Sequence, residues 1–152
     1  MAKMKLRNMK AHGVMAFICA CTAMPAAAHS VRATMDAAGT SPSFTGLARV
    51  TCLNQGERPA MLVARVRDTS PPVAGLLVNL QLVKGSAAVS ITDRVSGDDG
   101  YSDYIALPGG PGEYIMMVNK TAAGERSFDL EWHCMSSDNV HTETDTQILQ
   151  FQ

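Results

Sequence analysis

Short runs in which apolar and polar residues strictly alternate recur from Phe44 onward, and they narrow the possible folds more than any other feature of this chain. The clearest is Phe128 to Met135, where Phe128, Leu130, Trp132 and Cys134 share one face and Asp129, Glu131, His133 and Met135 the other. Successive side chains of an extended backbone point to opposite sides, so a period of two marks a strand with one side on a core. The same pattern puts Phe44, Ala48, Val50 and Cys52 on one face of Phe44 to Leu53. It puts Leu62, Ala64 and Val66 opposite Arg65 and Arg67 in Ala60 to Arg67, and Leu76, Val78, Leu80 and Leu82 opposite Asn79 and Gln81 in Leu76 to Lys84. Val89 to Val95, Tyr101 to Leu107 and Tyr114 to Val118 are shorter candidates, and Val140 to Phe151 is Thr-rich with a weaker apolar face. Residues 29–43 show no lasting period and read as an extended arm or a loosely held first strand.

Between these runs stand turn signals: Asn54-Gln55-Gly56, Pro71-Pro72, Lys84-Gly85-Ser86, Asp98-Asp99-Gly100, Pro108 to Gly112, and Ala123-Gly124. Seven to eight short strands at such spacing predict an all-β sandwich or barrel, the sandwich being the leading expectation, and no helical period competes with them.

The first 28 residues belong to a different regime. Lys3, Lys5, Arg7 and Lys10 precede the nearly uncharged stretch Gly13 to Met24, then Pro25 and Ala26-Ala27-Ala28. A basic start, an apolar stretch of about a dozen residues and a small-residue cleavage site make a secretory signal, with His29 expected as the first mature residue. The apolar stretch falls short of the roughly 20 residues needed to span a bilayer, so no membrane insertion is expected after cleavage. Ile18-Cys19-Ala20-Cys21 loosely resembles a lipidation box, which keeps a lipid-modified Cys21 open as an alternative.

The expected mature domain, 29–152, keeps nine basic residues against 14 acidic ones, a formal charge of −5. That excludes a broad basic footprint for nucleic acid and disfavours anionic lipid. Its only cysteines are Cys52 and Cys134, both on inward faces. A lone pair in an exported chain predicts a disulfide, the alternative being two free buried thiols. Periplasmic or secreted localisation follows from the same reading.

Pro72-Val73-Ala74-Gly75 leading into Leu76 to Leu82, then Asp98-Asp99-Gly100-Tyr101, then Pro111-Gly112-Glu113-Tyr114 follow a recurring order. A Gly-rich start, an alternating strand, an acidic turn with Gly and a Gly-x-Tyr strand resemble the bacterial immunoglobulin-like domains of invasin and intimin type. Transthyretin-like and carboxypeptidase-regulatory-like sandwiches share much of this grammar. The resemblance covers about a third of the chain, from Pro72 to Val118. Ser96-Gly97 stands where that family usually has Thr-Asp, and the cysteine pair is not typical of it. The resemblance implies an immunoglobulin-like fold with a structural or adhesive role.

No motif for nucleophilic catalysis is present, and the acids are expected in turns and on solvated strand faces, so the chain does not read as an enzyme. Asp93, Asp98, Asp99 and Asp103 are the densest acidic cluster; their oxygens could hold Ca²⁺, but the spacing fits no EF-hand loop and an ordinary Asp-Gly turn is the expectation. The leading expectation is a non-enzymatic module, without cofactor, that binds a protein or cell-surface component. The alternative is a periplasmic copper-binding protein. A mature N-terminal His29 offers an amine and an imidazole together, and His133 with Met135 adds an imidazole and a soft thioether from a face expected to point outward.

Overall fold

The computed structural model describes residues 29–152. The expected leader 1–28, its cleavage after Ala28 and the lipidation alternative at Cys21 lie outside the described residues. None of the described residues is helical.

The strands are β1 (His29–Met35), β2 (Thr45–Cys52), β3 (Met61–Asp68), β4 (Val78–Lys84), β5 (Ala87–Asp93), β6 (Ile105–Pro108), β7 (Gly112–Lys120), β8 (Arg126–Met135), β9 (His141–Thr142) and β10 (Thr144–Phe151). They form two antiparallel five-stranded sheets. One, here sheet A, runs β1-β8-β3-β6, with β9 paired to β8 beyond the end of β1; the other, sheet B, runs β10-β2-β7-β4-β5. Only β4–β5 and β8–β9 connect within a sheet, and every other connection crosses between sheets.

The alternating runs form strands because their apolar faces meet across the sandwich. Ala48, Val50, Leu62, Ala64, Val66, Val78, Leu80, Leu82, Tyr114, Met116, Phe128, Leu130 and Trp132 all lie in one buried cluster. Cys52 at the end of β2 and Cys134 near the end of β8 are disulfide-bonded, with Cα atoms 5.5 Å apart, which ties sheet B to sheet A. A disulfide fits an oxidising compartment.

Ten strands replace the seven to eight expected. His29–Met35 is a full edge strand in register with β8, from His29 opposite Trp132 to Met35 opposite Arg126. Its sequence hid this because an edge strand needs only one neighbour, and Ser30, Val31, Arg32 and Thr34 stay exposed. The C-terminal run divides at Glu143, the short β9 joining sheet A and β10 joining sheet B. Leu76 is buried but precedes β4, in a turn closed by the Val73–Leu76 bridge.

The expectation of solvated acids is corrected at four positions: Asp36, Asp68, Asp93 and Asp129 are buried. Lys120, fully buried, donates to Asp36 Oδ2 at 2.6 Å and to the carbonyls of Ser41 and Ala122. The Asp36 carboxylate also accepts from the backbone of Thr40, Ser41 and Gly124. The hydrogen bond from Lys120, outweighing burial and joined by those backbone donors, holds the Asp36 carboxyl down to about 2. Arg126 and Asp68 face each other at 3.7 Å with almost no exposure, and Arg126 also donates to the Pro71 carbonyl. Buried charge is tolerated where it is paired in this way.

Candidate functional site

Two regions combine chemistry with access: the flank where the sheets part, and the outer face of sheet A near β9.

At the flank, β1 and β10 are the edge strands of their sheets. The pairing of Ile148 with Ala48 and of Phe151 with Gly46 turns both aromatic and aliphatic side chains toward the gap between the sheets. Val31, paired with Leu130, faces the same gap from β1. No strand among the described residues fills it, and Ile148 is 64% exposed, Phe151 44% and Val31 38%. The result is a cleft of about 520 Å³ floored by Met116, Leu130 and Trp132 and walled by Val31, Ile148 and Phe151. Trp132 Nε1 donates to Thr146 Oγ1 at 3.1 Å, which fixes the indole at one end. Phe151 stacks edge-on against Phe44 at 5.1 Å. Gly46 permits that position, because a Cβ there would lie 2.9 Å from Val118 Cγ1 and 3.2 Å from Phe151 Cδ2. A register shift between Ile148 and Gln150 bends the outer strand at this point.

On the outer face of sheet A, charged groups cover one another. Arg32 makes a two-point contact with Asp129, which also accepts from Arg67. The hydrogen bond from Arg32, against burial and with help from Arg67, brings the Asp129 carboxyl to about 2. Arg65 donates twice to Glu131 Oε2 and lies over the rings of Tyr101 and Tyr104. Burial opposes the Glu131 charge, but hydrogen bonds from Tyr104, Arg65 and His133 outweigh it and hold the carboxyl at about 2.

His133 points outward from sheet A as expected, but it is not open to solvent. Its side chain is only 7% exposed, and Nε2 lies 3.1 Å from Glu131 Oε1. His141, opposite Met135 on β9, brings its ring to 4.3 Å from that of His133. Burial first, then the neighbouring charges of His133 and His29, lower the His141 pKa below the usual histidine value. Val63, Tyr104, Glu131, His133, Met135 and His141 line a cleft of about 450 Å³. His29 lies across from this group, paired with Trp132 and with its ring 6.0 Å from the indole, so its side chain belongs to the inward side of β1. Met135 is half-buried beside His133. His141 is the member that sequence reasoning missed, because it stands in a run with no strong period. No group of three or more His, Cys, Asp or Glu side chains suited to a metal ion occurs among the described residues.

The acidic cluster of the Asp-Gly turn does not act as a unit. Asp93 is buried and accepts from the backbone of Asp68 and Val95, whereas Asp98 accepts from the Gly100 amide in an ordinary turn.

These features define a disulfide-linked β-sandwich with one open flank and a histidine-lined cleft on one outer face. No family model, curated protein or solved structure matches the chain.

Proposed function

We propose that this is an exported, non-enzymatic binding module, and that its open flank takes an extended segment of another polypeptide at the cell envelope or surface. The observation that carries this reading is the unfilled apolar cleft between two edge strands. Both edges offer unpaired backbone N–H and C=O groups to an incoming strand, and the cleft offers sites for its alternate side chains. Exposed apolar surface of this extent on a small domain marks an interaction site more often than a neutral surface. The bend in β10 suits selective capture over open-ended sheet growth. Export rests on the basic-apolar-small pattern of 1–28 and on the disulfide.

The test uses Trp132, the sole tryptophan, as a reporter inside the cleft. A displayed library of extended peptides with apolar residues at alternate positions is selected on the purified protein. Selected peptides should change Trp132 fluorescence on binding, and Val31→Asp or Ile148→Asp should abolish both binding and the fluorescence change. Selected peptides that bind the two variants as well as the unaltered protein would overturn the reading.

A further inference from the structure

The histidine-lined cleft on the other side of β8 holds chemistry that strand capture does not use. A carboxylate only accepts hydrogen bonds, so the 3.1 Å contact between Glu131 Oε1 and His133 Nε2 requires the hydrogen on Nε2. In the neutral ring Nδ1 then carries a bare lone pair. That nitrogen is buried and has no hydrogen-bond partner. A buried acceptor without a donor is costly unless something else binds it. A carboxylate that orients a histidine through one ring nitrogen while the other stays free is the standard support of a metal-ligating imidazole.

Two further donors stand beside it on the same face. His141 stacks within 4.3 Å of His133 and is exposed, so its ring can turn toward a shared ion. Met135 is paired with His141 and lines the same cleft, and its thioether is a soft donor. Hard cations prefer oxygen sets, whereas imidazoles with a thioether suit copper, and the thioether favours its reduced state.

We propose that His133 Nδ1, His141 and Met135 Sδ form a Cu(I) site on the outer face of sheet A, with Glu131 as the positioning residue for His133. The site is separate from the open flank, and it does not depend on the amine of His29.

The purified protein, disulfide intact, is titrated with Cu(I) under ascorbate against a chromophoric Cu(I) chelator. One Cu(I) per chain is expected. Loss of a carboxylate that orients a ligating imidazole weakens metal sites about 10- to 100-fold, so Glu131→Gln should fall in that range and loss of a ligand should cost at least as much. His141→Ala and Met135→Leu alter partly exposed side chains and keep the core, so they report on the site even if His133→Ala fails to fold. An Ala inserted before His29 should leave Cu(I) affinity unchanged. Unaltered affinity in both His141→Ala and Met135→Leu would overturn the proposal. So would loss of binding on the Ala insertion alone, which would assign the copper to a terminal amine site.

Discussion

The two long flanks of the sandwich use the same material, edge strands with apolar residues at alternate positions, yet they end differently. Along one flank β5 and β6 touch across the gap between the sheets, Ile105 and Leu107 are buried, and Val89 and Ile91 pack against the core. Along the other, β1 and β10 diverge, and Val31, Ile148 and Phe151 face each other across open space. An apolar side chain on the inner face of a strand is buried only where the opposite sheet reaches it. Alternation marks which side of a strand is meant to be covered; the covering element can belong to the same chain or to another.

The contrast can be broken first at its anchors. Removing the disulfide by Cys52→Ser takes away the constraint on an 82-residue loop and should cost about 4–5 kcal/mol by chain entropy, measured by denaturant unfolding. Arg126→Ala leaves Asp68 buried without its partner and should cost about 3–5 kcal/mol in the same assay. In the closed core Leu80→Ala should cost about 2–5 kcal/mol. On the open flank Ile148→Ser should change stability by no more than about 0.5 kcal/mol, since it removes little buried surface. Equal losses at Leu80 and Ile148 would show that the flank is closed in solution.

Acid sharpens the picture. The folded state lowers Asp36 and Asp129 from 3.8 to about 2, so it binds fewer protons than the unfolded chain between those values. Their contribution is complete above pH 4 and is lost as the pH falls toward 2. Unfolding midpoints should therefore drop steeply over that window, and Asp129→Asn should flatten part of the drop.

Much of the sandwich was readable from residue order. The alternation in Phe128 to Cys134 and in Val78 to Leu82 identified core faces, and a lone cysteine pair in a chain read as exported foretold the bond that their inward positions accommodate. Features that depend on distant partners were not readable. Asp36 and Lys120 are 84 residues apart, and nothing local distinguishes either from a solvated surface charge. His133 alternates as an outward residue, and it is buried because Glu131, Val63 and His141 gather around it from three strands. Strict alternation puts Ile148 and Phe151 on opposite faces, and only the register shift between Ile148 and Gln150 brings both to the inner one, which residue order does not record.

The open flank is tested most directly by backbone amide exchange, read strand by strand, before and after loading with a selected peptide. Slower exchange at β1 and β10, with β5 and β6 unchanged, is the expected result, because an added strand hydrogen-bonds only to the edges it meets. Protection at β5 and β6, or none at β1 and β10 in the loaded protein, would contradict capture along the open flank.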